Sequence, residues 1–368
     1  MHRGTSAEID LNALACNFMT VKRLCGDTDV IAVVKADAYG HGAVEVSKKL
    51  IECGAGYVAV AFTDEGIALR EAGITKPILS LFDSDPIDIF EYRLTPVISD
   101  FNRAEILSKE ALKRGLNLAL HIKVDTGMGR LGLTGNAADT ILKIAEIENI
   151  SISGVMSHFS EADLADGSFA RLQIDRFATL KNRLYEKGLK IKTYHIANSA
   201  AVLNLPESYF DAVRPGLMLY GCSPIKNRAS QKNELEPVMT VKSKILSLRK
   251  LAAGTPISYG RTFITKRESV IGVISAGYAD GFSRRFSNNA EVLVRGLRVP
   301  VVGRVCMDLT MLDLTDCHES SEGDEAVLIG RQGEESIDAA ESALWADTIP
   351  YEILTSLGRS ARRVYTNG

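Results

Sequence analysis

The sequence predicts an α/β chain: an N-terminal (β/α)8 barrel of the TIM type over 1–232, then a mostly β domain over 233–368. Three observations carry this. Through the first two thirds, apolar runs of strand length alternate with stretches of 3.6-residue periodicity. Ionisable residues recur at the C-terminal ends of those runs, the rim on which barrels build their sites. Beyond the polar stretch 227–236, closed by Pro237, strands become short and turn signals frequent.

The expected barrel strands are Ile31–Lys35, Tyr57–Ala61, Pro77–Phe82, Thr95–Ser99, Leu118–Asp125, Ile152–His158, Tyr194–Asn198 and Asp211–Leu219. Between them, Val44–Ile51 reads as a helix. So does Phe169–Tyr185, with Leu172, Phe177, Leu180 and Leu184 on one face. A doubly wound sheet is the weaker alternative. In the second part the expected strands are Val238–Leu248, Ser269–Ile274, Glu291–Val294, Val299–Val302, Leu309–Leu314 and Ala326–Ile329. A short helix is expected over Ile337–Trp345.

Composition narrows the function classes. The 368 residues are 46% hydrophobic with a formal net charge of -3, which gives no electrostatic reason to expect nucleic-acid or membrane binding. No apolar run reaches membrane-spanning length, and the first residues lack the apolar core of a signal peptide. Cys16, Cys25, Cys53, Cys222, Cys306 and Cys317 are scattered, with no Cys-x-x-Cys pair. That fits a reducing cytoplasm and argues against disulfides and a thiolate metal site.

The chemistry-bearing residues lie at the strand ends. Lys35 closes Ile31-Ala32-Val33-Val34 and opens Ala36-Asp37-Ala38-Tyr39-Gly40-His41-Gly42. An amine beside a buried strand is desolvated, its pKa falls, and it becomes a nucleophile suited to Schiff-base chemistry. The plain reading is a lysine whose stem is buried and whose head is in water. Lys123 and Asp125 precede the glycine-rich Gly127-Met128-Gly129-Arg130, where Arg130 could grip a carboxylate or phosphate. A structural turn explains those glycines equally well. His158 is either a hydrogen-bonded core residue or a flat wall for a flat cofactor. Asn198 and Ser199 either cap a helix or border a phosphate site. Arg214, before Pro215-Gly216, would keep a nearby heteroaromatic nitrogen unprotonated. In the second domain Tyr259, Tyr278 and Tyr351 lie beside glycine or proline. A phenol acts as acid or base only if its pKa falls from about 10, and Arg261 is the cation nearest Tyr259 in sequence. Gly303-Arg304-Val305-Cys306-Met307-Asp308 is a compact loop whose backbone could bind a carboxylate.

The ordered set of segments resembles the alanine racemases, fold-type III pyridoxal-phosphate enzymes. It includes Val33-Val34-Lys35-Ala36-Asp37-Ala38-Tyr39-Gly40-His41-Gly42, Lys123-Val124-Asp125-Thr126-Gly127-Met128-Gly129-Arg130, Ser157-His158-Phe159, Arg214-Pro215-Gly216, Ser258-Tyr259-Gly260, Cys306-Met307-Asp308 and Ile349-Pro350-Tyr351-Glu352. The resemblance runs through nearly the whole chain. Departures are Asp37 in place of an asparagine, the lack of a bulky aromatic before Ala7, and a loosely matched loop at Ser160–Ser168.

The resemblance implies a cytoplasmic homodimer that interconverts L- and D-alanine, supplying D-alanine for peptidoglycan. Lys35 would hold pyridoxal 5'-phosphate covalently as an aldimine and act as base on the D-alanine face. Tyr259, from the partner subunit, would act on the L-alanine face. Tyr39, His158, Asn198, Ser199, Arg214, Gly216, Leu217 and Tyr351 would bind the cofactor. Arg130 and the Met307 backbone would bind the substrate carboxylate. Tyr278, Cys306 and Asp308 would line the entrance, and Lys123 would be carbamylated to orient Arg130. No metal is implied. Three other functions are weighed: a racemase of another or broader specificity, such as serine, a non-catalytic pyridoxal-phosphate carrier, and a cofactor-free aldolase using Lys35.

Overall fold

Eight short parallel strands wind around one apolar interior in a computed structural model that describes residues 4–225 and 235–367. They are Asp29–Val33, Tyr57–Val60, Ile78–Ser80, Thr95–Ile98, Leu118–Lys123, Ile150–Met156, Thr193–His195 and Ala212–Val213. The ladder runs without interruption from Thr193–His195 back to Asp29–Val33, and the latter also pairs with Ala212–Val213. The ring closes through two backbone bonds, Asp211 N–H to Tyr194 O at 3.0 Å and Arg214 N–H to Ala197 O at 2.8 Å. Strands enclosed by a filled interior and a helical coat must be apolar on both faces. The first one meets this demand, with Val30, Ile31, Ala32 and Val33 all buried.

Helices on the outside start and stop where their ends are satisfied. Asp10 caps Leu11–Cys25 by accepting from Asn12 N–H at 2.8 Å and Ala13 N–H at 3.0 Å. Asp100 caps Phe101–Arg114 in the same way, and that helix ends at Gly115 in the left-handed region. Helix Ser168–Glu186 buries Ala170, Gln173, Ile174, Phe177 and Leu184. The expected stripe had included Leu172, which is instead exposed. The last barrel strand, expected over Asp211–Leu219, is only Ala212–Val213. Pro215 offers no N–H to a ladder, and Leu217–Tyr220 coils into a 3-10 turn.

The second part is built on one long strand, Met239–Leu251, which pairs antiparallel with Ser6–Asp10, Ser269–Ile274 and Glu325–Gln332. Ser6–Asp10 lies within the segment expected for the barrel, yet its pairing partners are Met239–Leu251 and the C-terminal strand Arg362–Thr366. A strand's partner is set by long-range packing, which local pattern does not reveal. The expected helix over Ile337–Trp345 is Ala339–Ala346, capped by Asp338. Helix Pro350–Ser360 and strand Arg362–Thr366 were not foreseen. Of the expected polar stretch 227–236, residues up to 234 lie outside the described residues, as does the expected boundary at 232/233.

Candidate active site

Lys35 does not end a strand. The strand stops at Val33, and Lys35 opens a turn in which Ala36, Asp37, Ala38 and Tyr39 have φ of 52°, 54°, 53° and 55°. Four successive non-glycine residues in the left-handed region cost roughly 1–2 kcal/mol each. Such strain persists only where surroundings over-determine it, and here they do. The Glu65 carboxylate accepts from Ala36 N–H and from Ala61 N–H, both at 2.6 Å. Asp37 accepts from Ala43 N–H at 2.7 Å. Tyr220, buried, donates its hydroxyl to Val33 O at 2.9 Å and packs its ring 4.8 Å from that of Tyr39. Glu65 and Tyr220 were not anticipated; nothing in their local sequence marks them.

Lys35, Tyr39, Lys123, Arg130, His158, Asn198, Ser199, Arg214, Gly216, Leu217 and Tyr351 line one cavity at the C-terminal rim of the barrel. At one end the Ser199 hydroxyl accepts from Gly216 N–H at 2.8 Å and Met218 N–H at 3.3 Å. A Cβ on Gly216 would stand 2.5 Å from the Tyr39 hydroxyl, so only glycine lets these groups converge. Asn198 spends its side-chain oxygen on capping the helix Ser199–Asn204, accepting from Ala201 N–H at 3.0 Å. Burial raises the Tyr39 phenol and pushes that of Tyr351 up to about 12. Both remain hydrogen-bond donors at any physiological pH.

Arg214 is 4% exposed, and among the described residues its hydrogen-bond partners include no carboxylate. Its guanidinium donates to Ser157 O at 2.6 Å, His195 O at 2.8 Å, His195 Nδ1 at 2.9 Å and Ile196 O at 3.3 Å. Burial pulls it down to about 9, so it stays charged at neutral pH. Arginine always donates, which makes His195 Nδ1 an acceptor and places the ring proton on Nε2. That proton points to His121 Nδ1 at 2.9 Å. Burial first, and the Arg214 charge second, push His121 down to about 3 and hold His195 well below its ordinary value. Neither histidine had been singled out as a site residue. The signal was there in Leu120-His121-Ile122, an imidazole inside an apolar strand.

Nearer the mouth, cations crowd one ring. Lys123 Nζ lies 4.8 Å, Lys35 Nζ 5.6 Å and Arg130 Cζ 5.9 Å from the centre of Phe82. Desolvation and then Arg130 lower Lys35, with Glu65 opposing. Desolvation, then Arg130, Arg214 and Lys35, bring Lys123 down to about 8. Desolvation and the same cations hold His158 well below its ordinary value. Asp125 does not line the cavity. Its carboxylate accepts from Gly127, Met128 and Gly129 N–H, each at 2.8 Å, and so shapes the loop that presents Arg130. Among the described residues that line this space there is no carboxylate. Lysines, arginines and hydroxyls without acids form a receptor for small anions.

Tyr259, Tyr278, Cys306, Met307 and Asp308 do not line this cavity. They gather on the second part of the chain. Tyr278 N–H donates to Cys306 O at 3.0 Å and Ala279 N–H to Met307 O at 2.9 Å. The Ser258 hydroxyl, beside Tyr259, donates to Arg304 O at 2.7 Å. Tyr259 is 69% exposed, and it shares a 3-10 turn with Arg261 rather than a strand face. Among the described residues no group of three or more His, Cys, Asp or Glu could hold a metal. No described helix is long and apolar enough to cross a membrane.

A barrel rim that gathers a desolvated lysine with anion-binding groups defines a class: a TIM-type barrel with a site for a small anion. Comparison with known proteins makes this specific. Residues 9–224 match the alanine racemase N-terminal domain and 238–365 the alanine racemase C-terminal domain. The chain is 53% identical to the alanine racemase of Thermodesulfovibrio yellowstonii, over 99% of this chain and 98% of that protein. The crystal structure of the Bacillus anthracis alanine racemase with bound L-Ala-P superposes with a TM-score of 0.92 at 38% identity, covering 100% of this chain and 96% of that one. The Bartonella henselae alanine racemase, solved with covalently bound pyridoxal phosphate, gives 0.88 at 30% identity, covering 99% of each chain. The chain belongs to the alanine racemase family. Its activity is amino-acid racemisation, with alanine as substrate, and a racemase of another specificity is not favoured.

Proposed function

We propose that this chain racemises alanine with pyridoxal phosphate carried on Lys35, using one base from each of two subunits of a cytoplasmic homodimer. The observation that carries the reading is a desolvated Lys35 amine sharing one cavity with the hydroxyls of Tyr39, Ser199 and Tyr351 and with the cations Lys123, Arg130 and Arg214. The recess fits a phosphate: Ser199, Tyr39 and Tyr351 offer hydroxyls, and glycine at 216 lets backbone approach. When bound, the cofactor supplies the electron withdrawal that loosens the α-proton of an amino acid. The chain's own residues do the rest. Tyr39, Ser199, Tyr351 and the backbone of Gly216 and Leu217 hold the phosphate. His158 and Asn198 border the ring. Arg214 presents a buried positive charge that keeps the ring nitrogen neutral, which limits side reactions. Arg130 and the Met307 backbone grip the substrate carboxylate, while Tyr278, Cys306 and Asp308 shape the entrance.

Racemisation needs a proton removed from one face of a carbon and delivered to the other. Lys35 Nζ serves the D-alanine face, and the partner's Tyr259 hydroxyl serves the L-alanine face. Lys123 is carbamylated in this scheme. With a pKa of about 8, about a tenth of it is free amine at neutral pH. That nitrogen attacks the carbon of CO2, forms an N–C bond and loses a proton. The anion so formed orients Arg130. The D-alanine made would supply peptidoglycan synthesis.

Intersubunit complementation tests this reading. Lys35→Ala and Tyr259→Phe are each expected to lose at least about a hundredfold in kcat. Co-refolding the two inactive chains should restore turnover, because a mixed dimer rebuilds one complete site. Absence of recovery, with mixed dimers present, rules out the shared site.

A further inference from the structure

The left-handed turn carrying Lys35 is gripped from behind by the C-terminal strand. Arg363 lies on Arg362–Thr366, and its Nη2 pairs with Asp37 Oδ2 at 2.5 Å. The same side chain donates Nε–H to Gly40 O at 2.9 Å and to Gly358 O at 3.2 Å. One guanidinium therefore joins three segments: the Lys35 turn, the helix Pro350–Ser360 that carries Tyr351, and the C-terminal strand. The backbones it joins are in direct contact. A Cβ on Gly40 would stand 2.7 Å from Leu354 O, and one on Gly358 would collide with Gly40 O. Two residues further along the same strand face, the Tyr365 hydroxyl fills the space that a Cβ on Gly42 would need.

The forward face of these segments forms two walls of the cavity. Lys35 and Tyr39 come from the turn, and Tyr351 comes from the helix. Neither wall is held by local structure alone, since the turn is strained throughout and the helix is short. A planar fork with fixed donor directions suits the task better than a point charge. We infer that Arg363 and Asp37 are positioning residues: as a latch, they set the spacing between the Lys35 turn and Tyr351, and so the affinity for the cofactor phosphate. This rests on the proposed use of pyridoxal phosphate at this site. Neither residue lines the cavity, so both act through others.

The test measures equilibrium affinity of the full chain for pyridoxal phosphate, read from the visible absorbance of the bound cofactor. It compares wild type, Asp37→Asn, Arg363→Gln, Arg363→Lys and the double variant Asp37→Asn/Arg363→Gln. Asparagine keeps an acceptor for Ala43 N–H and removes only the charge, so a loss of about three- to tenfold is expected. Arg363→Gln loses the pair and both carbonyl contacts, and about thirtyfold weaker binding is expected. Arg363→Lys should recover part of this loss, and the double variant should bind no worse than Arg363→Gln. The cofactor-free single variants should melt close to wild type, as a purely structural role would not predict. Wild-type affinity in both single variants, or losses that multiply in the double variant, would overturn the latch while leaving the site assignment intact. Failure of the wild-type chain to bind pyridoxal phosphate would overturn the site assignment, and the latch with it.

Discussion

Replacing Arg214 by methionine sets two large effects against each other. The guanidinium serves three backbone carbonyls, those of Ser157, His195 and Ile196, inside a region closed to water. His195 O keeps a donor in Ser157 N–H at 3.2 Å, so two buried acceptors are left without one, at about 2 kcal/mol each, a total loss of about 4 kcal/mol. Against this stands the charge itself. No carboxylate is among its hydrogen-bond partners, and burial depresses its pKa to about 9, a penalty on the charged form of about 5 kcal/mol. Methionine removes that penalty and fills most of the volume. The expected net change is within about 2 kcal/mol, far less than counting hydrogen bonds predicts. Urea unfolding of the cofactor-free protein measures it. The same substitution removes a positive charge that lowers His195, His158 and His121. Their titrations, followed by NMR of labelled imidazoles, should move upward, most at His195, which loses a direct donor at 2.9 Å. A stability loss above about 5 kcal/mol with unmoved histidines would refute this balance of terms.

Lys123 gives a pH signature. Its folded pKa, about 8, lies below the ordinary lysine value, so between the two the unfolded chain binds more protons and stability rises with pH. In CO2-free buffer the stability advantage of Lys123→Met over wild type should shrink by about 3 kcal/mol between pH 7 and pH 10.5 in denaturant titrations. Gly277→Ala places a Cβ against the backbone oxygens of Met307 and Cys306, which cannot yield. It should part the Tyr278 and Met307 loops and cut kcat/KM for alanine by about tenfold or more, with the barrel's circular dichroism unchanged. Arg298 is clasped by Glu291, Glu335 and Glu341 at 3.1, 2.8 and 2.6 Å. Arg298→Ala leaves three carboxylates facing one another and should destabilise the second domain by about 2 kcal/mol, a loss that calorimetry should show growing at low salt.

The barrel was legible because each strand between two packed layers must be apolar throughout, and such runs stand out between helical stretches. The rim residues were legible for the complementary reason: Lys35, Lys123, His158 and Arg214 interrupt apolar runs where nothing local demands a charge. What stayed hidden depends on tertiary context. Ala36-Asp37-Ala38 has the composition of an ordinary turn or helix, and its left-handed path comes from Glu65, Tyr220 and Arg363, distant in sequence. Arg362–Thr366 offers few apolar residues because it runs along the sheet's outer edge, beside Ser6–Asp10. His121 and His195 escaped notice because His121 pairs with His195 and His195 with Arg214, residues distant in sequence.

The same electrostatics limit which groups in the cavity can exchange protons. A base must be partly deprotonated, or readily so, at working pH. Burial raises the Tyr39 phenol and brings that of Tyr351 to about 12, so both are locked as donors. Burial first, then Arg214, Arg130, Lys123 and Lys35, hold His158 well below its ordinary value, so it is neutral. Arg214, at about 9, keeps its proton at neutral pH. Among the described residues lining the cavity, Lys35 and Lys123 are the amines whose pKa is lowered, and both lie near the Phe82 ring. Among the described residues lining the cavity, no phenol, imidazole or carboxylate stands ready as a second base beside these amines. Racemisation of alanine demands two faces. In the proposed scheme the partner's Tyr259, 69% exposed and outside the lining of its own chain's cavity, would meet that demand.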